Sequence, residues 1–496
     1  MKLFLPAIAG RHPVGVTTFV TPVQPPQTIG SVKIRLGKEE PKPALLLEEV
    51  AYTAYYPADI SSDTTKARKG VDWFIRPIRE SLEGFSTFLG VPTWLLWPIV
   101  YLFGSLVKIP AYPNAPLLHP RNIENKPGQT PSSKWPLVIF SHGLGGGRTA
   151  YSQICSRLAA SGRVVLAVEH RDGTGTVSLP RSWDVDGSKS KPRKLLYLTE
   201  KDIHWDDGDS KDTKTREKFA LRAEQLAFRH HEMYITYKTF CQLVHKDQKV
   251  TLETIDGVPF EKSSWVDDST SDPYVNCDSD VVLAGHSFGG CTVFSILSTN
   301  PPEEYPPIPV ERALILDPWL EPLPAPGPVP LPINQKNGEN SSNATVNSVV
   351  DGVRETLEDE DAIQKGSNDT LSPNSHPRML VINSENFTLW KPHFPRLQEV
   401  VNHWEPDGKH ILTVVSSQHT SFSDFPILPV FSSKVARCIF NVIADLSLSF
   451  LDDRLEEDLK KMRTVKMETK PAGLKKDGTE KRKMQGEPGD VVVGPY

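Results

Sequence analysis

The chain contains no apolar run approaching the ~20 residues that a membrane-spanning helix requires. Cysteine is scarce, at five in 496 residues. The number is odd and no pair has metal-ligand spacing, so free thiols are expected and neither a disulfide framework nor a zinc site is indicated. A basic excess is also missing. The 56 Lys and Arg against 61 Asp and Glu leave a net charge of −5, which removes the electrostatic footprint of a nucleic-acid binder. Apolar residues make up 38%, low for a compact globule, so part of the length is expected outside the core. No internal repeat is visible. The opening residues 1–10 offer only a short apolar stretch interrupted by Pro6, which is weak as a secretion signal. A cytoplasmic chain is expected, with secretion as the alternative.

What is present is a run of apolar strands. Pro136–Phe140, Arg163–Val168, Asp280–Ala284, Arg312–Leu316, Arg378–Ile382 and Ile411–Val415 are nearly all apolar and do not alternate. That pattern marks strands buried on both faces of a parallel sheet. Helical spacing appears between them, at Tyr151–Ser161 and Arg216–Val244. Strands alternating with helices predict an α/β fold with a mostly parallel sheet flanked by helices. Residues 14–56 look more like antiparallel strands. The single domain is expected to span 1–451. Two stretches look like loose insertions: 181–215, rich in Lys, Asp and Ser, and 322–376, which begins with alternating prolines and becomes Asn/Ser-rich and acidic. The charged segment 452–496 is predicted to be a disordered tail.

The most informative stretch is Val-Val-Leu-Ala-Gly-His-Ser-Phe-Gly-Gly-Cys at 281–291. An apolar strand runs directly into Gly-x-Ser-x-Gly, and small and apolar residues at helical spacing follow. This is the sequence form of a nucleophile elbow, a sharp strand-to-helix turn that lifts one hydroxyl clear of the sheet. It makes Ser287 the candidate nucleophile. A sheet of this kind places its site at the carboxyl ends of the strands, and the order of partners is serine, acid, histidine. Of the histidines after Ser287 (His376, His393, His403, His410 and His419), His410 precedes the last strand, at the wrong edge. His419 lies just past Val415, at the right edge, and is the candidate general base. Asp317 ends the Arg312–Leu316 strand and is the favoured acid. Glu385, just after the next strand, competes with it. The oxyanion donors are expected to be the Phe288 N–H and that of Leu144, in the Ser141-His-Gly-Leu-Gly-Gly-Gly-Arg148 turn. A phosphate-cradling reading of those glycines fails because no Lys-Ser/Thr follows.

Several ordered segments resemble the platelet-activating factor acetylhydrolases of the plasma and type II class. They are Phe140-Ser-His-Gly-Leu-Gly145, Glu169-His-Arg-Asp172, Gly285-His-Ser-Phe-Gly-Gly290 and Leu316-Asp-Pro-Trp319. Leu5-Pro-Ala, Tyr55-Tyr-Pro57 and Phe103-Gly-Ser105 are similar to that family too. The resemblance implies an α/β-hydrolase fold and a serine esterase that needs no metal or cofactor. It implies removal of a short or oxidised acyl group from the sn-2 position of phosphocholine lipids. It also implies Ser287, Asp317 and His419 as triad and Leu144 and Phe288 as oxyanion donors. The 322–376 insertion departs from the better-known members, either as a cover over the site or as a solvated loop. A general short-chain carboxylesterase is the alternative, and a non-catalytic scaffold of the same fold is a third reading. The aromatic segment 91–107, broken by Pro98, reads either as a peripheral membrane contact through Trp94, Trp97 and Phe103 or as a helix packed on the core. Nothing in the sequence sets the oligomeric state.

Overall fold

The computed structural model describes residues 3–34, 40–61, 69–120, 134–184, 186–204, 219–247, 250–255, 262–266, 272–324, 376–404, 411–474 and 478–494. Its centre is one large sheet. In chain order the principal elements are β1 (Val14–Thr28), β2 (Leu46–Pro57), α1 (Ile78–Leu89), β3 (Trp135–Ser141), α2 (Ser152–Ala160), β4 (Val164–Glu169) and α3 (Ala220–Val244). They continue with β5 (Val281–His286), α4 (Phe288–Leu297), β6 (Val310–Leu316), β7 (Arg378–Ser384), α5 (His393–Trp404), β8 (Ile411–Val414), α6 (Lys434–Leu451) and β9 (Val491–Val493). Across the sheet the order is β1-β2-β4-β3-β5-β6-β7-β8-β9. β1, β2 and β4 pair antiparallel, and β4 through β8 run parallel. This is the α/β-hydrolase arrangement, and the antiparallel start matches the reading of residues 14–56.

The strands carry two faces because successive side chains point to opposite sides. Leu137, Ile139, Leu166, Leu283, Ile315 and Val381 pack with α3, α4 and α5. Val138, Phe140, Val165, Ala284, Leu314 and Leu380 pack with α2 and α6 on the other side. Both faces are covered, so neither needs polar residues. This is the physical reason the strands read as continuous apolar runs.

Two of the predicted loose stretches differ from expectation. Within 181–215, the described residues Leu195–Leu196 pair antiparallel with Val177–Ser178, and Ile203–His204 pair with Lys33–Ile34. Most of 322–376 lies outside the described residues. The predicted disordered tail is corrected more sharply. Leu455–Leu459 is helical, Thr469–Leu474 and Glu480–Met484 form an antiparallel hairpin, and β9 joins the sheet antiparallel to β8. Composition read the charged hairpin, whose described lysines are exposed, as disordered where the chain is paired. It averaged away Val491-Val492-Val493, three apolar residues that cover the otherwise open edge of β8. Val491 and Val492 are buried, as is Met484 at the hairpin base.

If β9 is a structural edge, Val492→Asp places a charge where none can be solvated. It is expected to cost about 2–4 kcal/mol in urea unfolding, while Lys481→Ala changes stability by less than about 0.5 kcal/mol.

Candidate active site

β5 delivers the chain into a backbone turn that is sterically costly. Ser287 has φ 57° and ψ −118°, outside the regions an L-residue prefers. The flanking glycines explain why the turn closes. A Cβ on Gly289 would lie 2.0 Å from the Ser141 carbonyl oxygen, and one on Gly285 would lie 2.3 Å from the Gly289 carbonyl oxygen. No side chain fits at either position, so α4 can begin directly against the end of β3. The Ser287 N–H donates to the Leu316 carbonyl at 3.0 Å, which ties the turn to β6.

The three residues singled out from strand edges meet here. His419 opens a short turn, His419–Phe422, beyond β8. Its Nε2 lies 2.8 Å from Ser287 Oγ, and its Nδ1 lies 2.7 Å from Asp317 Oδ2. Asp317 follows β6 with a positive φ of 45° and is fully buried. Its other oxygen accepts from the Ser384 N–H at 2.6 Å. The Asn383 amide, oriented to satisfy both its partners, donates to the same oxygen at 2.9 Å and accepts from Thr388 Oγ1 at 2.8 Å. With Asp317 accepting from Nδ1–H, the lone pair of His419 Nε2 faces the serine hydroxyl. The Phe387 ring stacks on the imidazole at 4.3 Å and 11°, limiting its rotation.

The competing carboxylate has another task. Glu385 Oε2 accepts from the Ser416 N–H at 2.6 Å and Oε1 from the Met484 N–H at 2.9 Å. It supports the turn that leads to His419 and fastens the C-terminal hairpin to it. His410 lies outside the described residues. Asp424, five positions past His419, accepts from the Ser152 and Gln153 N–H groups at the start of α2 and from Trp73 Nε1. Burial pushes its carboxyl up to about 7 against those bonds. The loop bearing His419 is therefore held at both ends.

The two expected oxyanion donors border the serine. A Cβ on Gly143 would lie 2.8 Å from that of Ser287, which sets the loop directly against the candidate nucleophile. Among the described residues, neither the Leu144 nor the Phe288 N–H donates to a protein group. A pair of N–H groups without protein partners beside a serine hydroxyl can bind a developing negative charge.

Sequence reasoning missed His286 and Tyr151. His286 Nε2 faces the His419 carbonyl at 3.0 Å and must donate, so its Nδ1 accepts from Tyr151 Oη at 2.7 Å. Tyr151 Oη in turn accepts from the Gly143 N–H at 3.2 Å. Burial keeps the imidazole of His286 neutral and the phenol of Tyr151 protonated. These residues link the His419 backbone to the Gly143–Leu144 loop. The one available signal was that the variable position of Gly-x-Ser-x-Gly is here a buried histidine. Among the described residues, the one cluster with the makings of a metal site is His286, Asp317 and His419. Its ligand atoms are already hydrogen-bonded to one another, to Ser287 Oγ, to the Ser384 N–H, to Tyr151 or to the His419 carbonyl.

Comparison with known proteins gives consistent relatives. Residues 2–326 match the family model described as platelet-activating factor acetylhydrolase, isoform II. A platelet-activating factor acetylhydrolase of Canis lupus familiaris is 26% identical over 427 residues, covering 85% of this chain and 72% of that protein. A putative phospholipase A2 of Schizosaccharomyces pombe is 29% identical over 251 residues, covering 50% of each chain. Among solved structures, a ferulic acid esterase from Streptomyces cinnamoneus superposes with a TM-score of 0.45 at 14% identity, over 92% of this chain and 94% of that one.

Gly289→Ala tests the close approach that shapes the turn. The added methyl must displace the Ser141 backbone, so labelling by a fluorophosphonate probe is expected to fall below a tenth of wild type. Gly147→Ala, where a Cβ meets nothing within 4 Å, is expected to label normally.

Proposed function

Given that the chain belongs to the platelet-activating factor acetylhydrolase isoform II family and is a carboxylic ester hydrolase, we propose that it removes a short or oxidised acyl group from the sn-2 position of phosphocholine lipids. Ser287 is the nucleophile, His419 the general base and acid, and Asp317 the residue that orients His419. Leu144 and Phe288 donate the oxyanion hydrogen bonds. The observation that carries the reading is the continuous run Asp317–His419–Ser287 beside two unpartnered N–H groups.

The chemistry follows from those contacts. As Ser287 Oγ attacks the ester carbonyl carbon, its proton passes to His419 Nε2. The carbonyl oxygen becomes an oxyanion and accepts from the Leu144 and Phe288 N–H groups. Collapse breaks the bond to the glycerol oxygen, which takes the proton from His419 and leaves as the lysolipid. Water then gives a proton to His419 as its oxygen attacks the acyl-serine carbonyl carbon; collapse breaks the bond to Ser287 Oγ, which takes the proton back from His419 as the carboxylic acid departs. Asp317 stabilises the imidazolium in both halves. Every proton moves through His419, so these steps call on no metal or cofactor.

A lipid substrate also accounts for an otherwise costly surface. Trp94 is 75% exposed, and Trp97, Leu102 and Phe103 are each about half exposed. Of the segment Thr93–Phe103, only Val100 is buried. Just upstream, the Phe88 ring packs against Gly145 of the oxyanion loop. We propose that this aromatic platform rests on the lipid surface and brings the site to its substrate. No helix among the described residues is long and apolar enough to cross a membrane. Contact would therefore be peripheral.

Ser287→Ala is expected to abolish p-nitrophenyl acetate hydrolysis and fluorophosphonate labelling. Asp317→Asn should lower kcat by about 10⁴-fold, because the imidazole is then held in the wrong tautomer, and Glu385→Gln should lower it far less. Rates on sn-2 acetyl, sn-2 long-chain and non-phospholipid esters test the substrate. Equal rates on all three would favour a general carboxylesterase. Replacing Trp94 and Trp97 with alanine is expected to reduce sedimentation with phosphatidylcholine vesicles at least tenfold while leaving hydrolysis of the soluble ester intact. Unchanged sedimentation would discard the platform.

A further inference from the structure

The two oxyanion donors sit on different elements, Leu144 in the loop after β3 and Phe288 at the start of α4. Their spacing decides whether both reach one oxygen, so something must hold the two elements in register. Beneath them lies a guanidinium with no exposure to solvent, Arg229 of α3. Nothing in the chemistry proposed above uses it. Burying a cation is costly unless it is paired and its donors are satisfied. Its Nε donates to Asp172 Oδ2 at 2.8 Å, so the charge is neutralised by an equally buried carboxylate.

The remaining donors reach both halves of the hole. Nη1 donates to the His142 carbonyl at 2.8 Å, two residues before Leu144. It also reaches Thr292 Oγ1 at 3.3 Å, and that hydroxyl donates to the Phe288 carbonyl at 2.9 Å. The guanidinium plane lies over the Phe288 ring, 4.5 Å from its centre. Nη2 donates to Thr174 Oγ1 at 2.6 Å, and the Thr174 carbonyl accepts from the Gly145 N–H at 2.8 Å. One planar group therefore grips the loop before and after Leu144 and the first turn of α4. The peptide that carries the Leu144 N–H is fixed at its other end as well. The Gly143 carbonyl accepts from His142 Nδ1–H at 2.8 Å, a tautomer set by the His170 N–H donating to His142 Nε2 at 3.1 Å. Burial and the neighbouring Arg229 charge push that imidazole down to about 4, so it stays neutral.

We propose that Arg229 is a positioning residue for the oxyanion hole, clamping the Leu144 loop to the Phe288 end of α4 so that both N–H groups are aimed before substrate arrives. The inference rests on the serine-hydrolase reading above. It gives Arg229 a geometric task beyond serving as a counter-charge for Asp172. Lysine keeps the charge but cannot span three separated acceptors, since its donors radiate from one nitrogen.

The test compares wild type, Arg229→Lys, and Arg229→Met combined with Asp172→Asn, which removes both buried charges together. kcat and KM are measured on p-nitrophenyl acetate, together with the Ki of a trifluoromethyl ketone whose adduct with Ser287 carries an oxyanion. Each variant is expected to lose about 10- to 100-fold in kcat, with KM within about twofold and Ki rising in step with the loss of kcat, because the interaction acts on the transition state. A folded variant with wild-type kcat and Ki overturns the proposal. In the double variant, that result would show that Arg229 only neutralises Asp172. Should neither variant fold, Thr292→Val decides, because it removes only the α4 end of the clamp. A several-fold fall in kcat at constant KM supports the proposal, and wild-type kcat overturns it. Ser287→Ala is run alongside. If it retains activity, the serine-hydrolase reading fails. If it is inactive while Arg229→Lys is fully active, the clamp alone fails.

Discussion

The contact on which the site depends is the close approach of Gly289 to the Ser141 carbonyl. It brings the start of α4 against the end of β3, leaving no room for a Cβ. Ser287 is forced into a conformation that L-residues avoid, and that strain is sustained because the strands on either side are buried and hydrogen-bonded. The same contact sets Phe288 beside the loop that carries Leu144. The proposed nucleophile and both proposed oxyanion donors thus follow from one backbone packing event. His419 and Asp317 then arrive from the carboxyl ends of β8 and β6, as a parallel sheet requires.

Around this contact the protein buries a connected set of polar groups. His142, His170, Asp172, Arg229 and Glu232 are all inside, together with Tyr151 and His286. Each is costly alone, and the structure offsets the cost by closing the bonds on one another. His170 joins Glu232 to Ser141, forming a second serine–histidine–carboxylate run that is sealed from solvent and serves to seat the loop. Burial pushes the Glu232 carboxyl up and the His170 imidazole down, which favours the uncharged form of both. Among groups with the same functional atoms, access separates the reacting site from its support. Ser287 and His419 keep a path to solvent, whereas His170 and Glu232 have none.

The strands were readable because burial on both faces leaves an unmixed apolar signal. The elbow was readable because Gly285 and Gly289 are steric necessities at fixed spacing. Choosing His419 over His410 needed only the rule of strand edges, whereas Glu385 sits at the same edge as Asp317 and only the structure shows it engaged elsewhere. The C-terminal segment was misread because its composition is dominated by an exposed charged hairpin. Val491–Val493 form too short a run to outweigh that average until a neighbouring strand is supplied. Arg229, Tyr151 and His286 were invisible as working residues for a related reason. An arginine in a long charged helix looks solvated, and which side of α3 faces the sheet depends on what packs there.

By itself, the sequence determined the class of the fold and the position of the turn, and it singled out Ser287, Asp317 and His419 as the candidate triad. Those features depend on local sterics and on periodicity, which a linear chain displays. Only the tertiary structure decided what holds them. The Tyr151–His286 link, the Glu385 support under His419, the edge strand at Val491–Val493 and the Arg229 clamp all join residues far apart in the chain. Their hydrogen bonds have meaning only once burial has removed water as the competing partner.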